Sequence, residues 1–147
     1  MMQPGKNYIS SKSVSVSANG GTNTLKFSVA IKSGWFEVDR INAVVLDPTG
    51  APVQYKVFVR TIRVRRIGGK GAPEPIVHGD PFPLELLAGT NNGLPGLLKG
   101  IEQFDLPLEI EVDIVNQHTD PVNVYAILLG TVVYPEERPV APTVREM

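Results

Sequence analysis

Four arginines crowd the run RTIRVRR as Arg60, Arg63, Arg65 and Arg66, with Lys70 close behind. Such a cluster can grip a phosphate backbone or an acidic neighbour. No series of aromatics is interleaved with it, so the base stacking on which single-strand binding depends is missing. A formal charge of −1 and a pI near 6.1 add no general attraction for nucleic acid, which argues against it as a partner. The matching acids lie in PLEIEVDIV, where Glu109, Glu111 and Asp113 share one strand face at about 7 Å intervals. Carboxylates so placed can act on sugars or bind calcium. There is no Asp-rich calcium loop, so a solvated or salt-bridged face is the plainer reading. The arginines are its natural partners, within one sheet or across a subunit boundary, and pairing between subunits is preferred to nucleic acid.

His78-Gly79-Asp80 is the one spot with a catalytic look, because a carboxylate beside an imidazole can orient a general base. No Gly-x-Ser-x-Gly nucleophile motif accompanies it, and a loop histidine is the expectation. Trp35, Phe36, Tyr55 and Tyr125 could line a sugar platform, but they stand inside strand patterns, which favours core or interface packing. Gly68-Gly69-Lys70-Gly71 lacks the phosphate-cradle spacing. The chain has no cysteine, which excludes thiolate chemistry, and only 2 histidines, well separated, so a His-rich metal centre is not expected. No catalytic, cofactor-binding or metal-ligating residue is therefore expected, and no cofactor; the chain reads as a non-enzyme.

The elements that would position these residues are strands. Gly (14) and Pro (13) are concentrated between alternating runs, as in a turn-rich β protein. SKSVSVSA (11–18) puts Val14 and Val16 on one face and serines on the other; TLKFSVAI (24–31) alternates likewise after Asn19-Gly20-Gly21. Together they predict a hairpin. Strands are predicted at 35–46 and 53–67, joined by Asp47-Pro48-Thr49-Gly50. The second would extend about 50 Å, too long for one flat strand. Its apolar phase also shifts from Val57 and Val59 to Ile62 and Val64, which predicts a bulge near Arg60-Thr61. Further strands are expected at 107–115 and 122–134. The segment 68–106 reads as a long Pro/Gly-rich excursion with a short strand at 84–87 and a helical turn around 97–104. Residues 1–9 and 135–147 read as extended arms around a single domain, 10–134. The fold class is therefore all-β, an antiparallel sandwich of jelly-roll or Greek-key type.

The last strand, VNVYAILLGTVVY, is apolar on both faces, whereas a sandwich strand normally keeps one face wet. A loop of the chain or a neighbouring subunit must cover the second face. Tyr125, Ile127, Leu129 and Val133, with the four arginines, are the candidate interface. No secretory signal or bilayer-length apolar run is read in the sequence, so no membrane partner is expected and the product reads as made in a host cytoplasm.

The opening Ser/Val alternation, the Pro/Gly-rich excursion and LPLEIEVDIVNQHTDPVNVYAILLGTVVYP resemble jelly-roll virion proteins, most closely capsid cement (decoration) proteins of tailed bacteriophages. The resemblance is one of pattern over most of the chain. It implies a virion location and a homotrimer that clamps adjacent major capsid proteins to stabilise the shell, and it carries over no catalytic residues. A jelly-roll major or minor capsid protein is a variant of the same expectation. A carbohydrate- or receptor-binding sandwich is the alternative among binding modules. A small β-fold lyase or glycosidase using His78 and the Glu109/Glu111 face is the enzyme alternative.

Overall fold

The serine–valine alternation that opens the chain forms an edge strand, β1 (Lys6–Val16), but its partner is the last strand rather than the next one. The computed structural model describes residues 6–31, 34–53, 56–67, 74–77, 79–88 and 103–133. Its strands continue as β2 (Gly21–Val29), β3 (Trp35–Leu46), β4 (Val57–Arg66), β5 (Glu74–Val77), β6 (Phe82–Pro83), β7 (Gln103–Asp105), β8 (Leu108–Asn116) and β9 (Val122–Val133), with a 3-10 turn at Leu84–Ala88. One sheet, here sheet A, runs β1-β9-β3-β7; the other, sheet B, runs β2-β8-β4-β5, with β6 also on β4. All the pairings are antiparallel.

Apart from the two-residue β6, the pairs nest: first with last (β1–β9), then β2–β8, β3–β7 and β4–β5. That wrapping of a long folded ribbon into two sheets is the jelly roll. Most consecutive strands therefore cross from one sheet to the other, burying the inward residues of both between them. Leu25, Phe27 and Val29 of β2, Ile110, Val112 and Ile114 of β8, and Val122, Val124 and Leu128 of β9 are all buried there.

Strands β3, β8 and β9 lie within a residue of the sequence expectation, and the bulge is present: the β4–β8 register shifts between Val59 and Thr61. The extra residue lets Val57 and Val59 on one side and Ile62 on the other all reach the core. Other expectations are corrected. The 11–18/24–31 hairpin does not form. The turn is real, with Asn19 and Gly20 at φ 56° and 88°, yet it links the two sheets, and its Asn19 and Gly20 amides donate to the carbonyls of His118 and Asn116. The 53–67 strand begins only at Val57, after Lys56 at φ 62°; the Val53 amide instead donates to Val45 beside β3. Residues 6–9 of the expected N-terminal arm pair in β1 instead, and residues 1–5 lie outside the described residues. The strand expected at 84–87 is the 3-10 turn, which buries Leu84 and Leu87, and residues 103–104 of the expected helical turn are in β7. Within 68–106 the chain thus adds short strands to both sheets. The C-terminal arm, 135–147, lies outside the described residues.

The β3–β4 turn is tied by one carboxylate. Asp47 accepts hydrogen bonds from the Thr49 hydroxyl (2.6 Å) and from the amides of Thr49 (2.9 Å) and Ala51 (3.0 Å). These bonds, the Thr49 hydroxyl foremost, hold the Asp47 carboxyl below its ordinary 3.8. A value lowered by folding means that the group's stabilisation is complete above the unfolded pKa and is lost as pH falls through the folded one. NMR titration of the Asp47 carboxyl is expected to give a midpoint below 3.8, moving up in Thr49→Val. A midpoint at or above the ordinary value would remove the turn from any account of acid stability.

Candidate functional site

The outward faces of the two sheets differ in chemistry, and the difference follows from strand parity. On β8 the odd residues Glu109, Glu111 and Asp113 point away from the core, between β2 and β4. Register sets Lys26 and Arg63 on either side of Glu111, Ser28 and Arg65 beside Glu109, and Thr24 beside Asp113. Arg63 Nη2 donates to Asp113 Oδ1 at 2.8 Å and stands 3.1 Å from Glu111 Oε1. Arg65 holds Glu109 Oε1 through Nη2 and Nε at 2.8 and 2.9 Å. Lys26 Nζ approaches Glu111 Oε2 at 3.8 Å, and the Thr24 hydroxyl donates to Asp113 at 2.7 Å. This is a charge ladder internal to the chain. Arg63 and Arg65 of the expected interface are engaged within sheet B, whereas Arg60, pushed out by the bulge, and Arg66 are exposed. Lys26, Thr24 and Ser28 were not legible as members, because only the β2–β8 register places them opposite the acids.

Sheet A is different. Its middle strand β9 buries its even residues against the core and turns Tyr125, Ile127 and Leu129 outward between β1 and β3. Three cross-strand rows define the centre of the face: Ser13–Tyr125–Val44, Ser11–Ile127–Asn42 and Ile9–Leu129–Arg40. Ile9 is 65% exposed, Val44 59% and Tyr125 45%, while Ile127 and Leu129 are half-buried. A shallow trough of 580 Å³ runs over this centre, bounded by Ser11–Ser13, Asn42–Val44 and Tyr125–Ile127. The outward side chains in its rows are neutral until Arg40, which pairs with Asp39 at 3.5 Å at the far end. The second apolar face of the last strand is therefore real, and the described residues leave its centre open to solvent. Val133, by contrast, is only 7% exposed beside Trp35 and is not available to a partner in this state.

The other singled-out residues separate. Phe36 is buried in the core with its ring edge-on to Tyr8, centroids 6.0 Å apart, and Trp35 is buried. Of the four proposed platform aromatics, these two are core, Tyr125 is on the surface, and Tyr55 lies outside the described residues, as do His78 and the Gly68–Gly71 segment. Among the described residues no three His, Asp or Glu side chains converge as a metal site, and no helix is long and apolar enough to cross a membrane. Comparison with known proteins returned no matching family model, no matching curated protein and no matching solved structure.

Proposed function

We propose that the chain is a non-enzymatic structural subunit of a virus shell, a capsid cement protein that binds neighbouring coat subunits, with the outward face of sheet A as its assembly surface. The observation that carries this reading is the exposed apolar centre of that face, Ile9, Val44 and Tyr125 around the half-buried Ile127 and Leu129. Contiguous exposed apolar surface is what a protein keeps for a partner, since burying it is the main favourable term in association. The jelly-roll wrapping supports the same reading, being a frequent architecture of shell proteins, and so does the lattice of neutralised charge on the opposite sheet, which suits a passive scaffold. Fold alone does not decide function, so the face carries the weight.

The test is twofold. The genes flanking this one should encode a portal, a maturation protease and a coat protein, and the purified chain should co-sediment with particles assembled from that coat protein. Loss of co-sedimentation in Tyr125→Arg would show that assembly through this face is needed for uptake onto the particle; wild-type protein that stays in the supernatant would sink the cement role. A second reading, a glycan-binding module, is favoured by one observation: the trough sets a single exposed tyrosine beside the amide of Asn42 and the hydroxyls of Ser11 and Ser13. A glycan array separates it, and Tyr125→Ala should then abolish every signal.

A further inference from the structure

We infer that the outward face of sheet A is the contact surface for a second copy of this chain, packed face to face about a twofold axis running along β9. The inference rests on reading that face as an assembly surface and names its occupant.

Size comes first. Three adjacent strands of 11 to 12 residues make the face. At about 4.8 Å between strands and about 3.3 Å per residue they span a flat footprint on the order of 500 Å². Side-chain relief raises the accessible area above that, towards the roughly 800 Å² that each partner of a stable pair contributes. Two such faces together bury at least about 1,000 Å², the lower bound for a specific interface.

Symmetry and chemistry then choose the partner. A patch that meets a different patch on the next copy builds a ring or a filament, whereas a patch that meets itself closes as a pair. Among the described residues, the other exposed large apolar side chains are Ile67 and Leu86, which belong to neither β1, β3 nor β9. Among the described residues no second apolar sheet face is offered, and self-pairing is the arrangement of those residues that buries this one. The outward positions in the Ser13–Tyr125–Val44 and Ser11–Ile127–Asn42 rows carry no charge, and Lys12, the charged residue lining the trough, is exposed on the edge strand β1, where its ammonium can stay in water when two copies stack.

Relief is complementary to either side of that axis, while like side chains meet on it. A half-turn about β9 keeps each row in place and exchanges β1 with β3. Tyr125 then lies over the partner's Tyr125, and Ile127 over the partner's Ile127. The small Ser13 of β1 receives the partner's Val44, large against small, as interdigitating sheets require. Ser11 faces the partner's Asn42, hydroxyl to amide. Ile9 meets the partner's Arg40 along its aliphatic stem, leaving the guanidinium at the wet margin. Closure at two copies differs from the trimer that the cement resemblance implies.

Light scattering coupled to size exclusion tests this on the full chain alone. Wild type is expected at twice 16.0 kDa, and Tyr125→Arg at 16.0 kDa, because like charges would meet on the axis. Val44→Asp should halve the mass in the same way, and it decides the matter if the tyrosine variant fails to fold. Ile67→Glu, on the other side of the molecule's chemistry, should leave the pair intact. A monomeric wild type, a trimeric mass, or a dimer indifferent to both face variants would overturn the inference. Co-sedimentation of the wild type separates the two failures: a chain that pairs but stays in the supernatant fails the cement reading alone, and a monomer that co-sediments with coat particles fails the pairing alone.

Discussion

Arg63→Ala is expected to lower the melting temperature by about 4–8 °C, for a cost of about 2 kcal/mol at the 2–4 °C per kcal/mol usual for a domain of this size. The magnitude follows from what the substitution leaves behind. The Glu111 side chain is 7% exposed, and Arg63 supplies its nearest cation, at 3.1 Å against 3.8 Å for Lys26. Removing one partner of a buried pair costs about 3–5 kcal/mol because the other charge stays buried and uncompensated. The figure is reduced here because the Arg63 side chain is 32% exposed and Lys26 remains. Arg63 also bridges to Asp113, so a second acid loses its cation in the same step. Two controls give the prediction its edge. Arg65→Ala, whose side chain is 42% exposed, should cost much less. Arg63→Met combined with Glu111→Leu should recover most of the loss, since a well-packed apolar pair replaces an ion pair at little cost. An unchanged melting temperature in Arg63→Ala would show that the ladder only decorates the sheet.

Gly130→Ala should be comparably harmful, at about 3 kcal/mol, the upper end of ordinary overpacking. Gly130 is buried in the middle of sheet A, opposite Val38 of β3 and Tyr8 of β1. A Cβ there would stand 2.3 Å from Phe36 Cζ, 2.8 Å from Phe36 Cε1 and 2.6 Å from the Glu37 carbonyl oxygen. The ring occupies the space that a side chain would need, and it is itself held edge-on by Tyr8. Turning it away costs the core contacts of a fully buried phenylalanine, while the backbone oxygen has nowhere to retreat. Chemical denaturation measures the loss. Phe36→Leu in the same background should be less than additive, because it relieves the ring contacts and leaves only the carbonyl clash. Strict additivity would mean that the ring and the glycine do not share that space.

Much of this architecture could be read before any coordinates. Alternating polarity in PLEIEVDIV and in TLKFSVAI names which residues face inward, and all the inward-facing members of β8 are buried. The shift of apolar phase between Val59 and Ile62 places a bulge at Arg60, because only an extra residue lets both halves of β4 reach one core. What alternation does not carry is the identity of the partner strand. Asn19-Gly20 specifies a chain reversal, and a reversal into the neighbouring strand of the same sheet looks the same locally as one into the opposite sheet. The 3-10 turn at Leu84–Ala88 was equally opaque, since two leucines three apart fit a strand end or a tight turn. The site divides along the same line. The doubly apolar character of VYAILL is a property of composition and was visible. That Ile9, Val44 and Tyr125 share one surface depends on the β1–β9–β3 register, which joins residues far apart in the chain, Ile9 to Leu129 and Val44 to Tyr125.

That long reach has a consequence for how the molecule is born. Ser15 and Asn123 are hydrogen-bonded across 108 positions, and the strand carrying Asn123 is the middle of its sheet. At ribosomal speeds of about 5–20 residues per second, β1 waits roughly 5–20 s for the strand that will hold it. Until Val122–Val133 emerges, β1 and β3 have no common neighbour and their apolar sides face the cell. Folding is therefore obliged to follow synthesis, and premature stops upstream of β9 should yield inclusion bodies rather than shortened soluble forms.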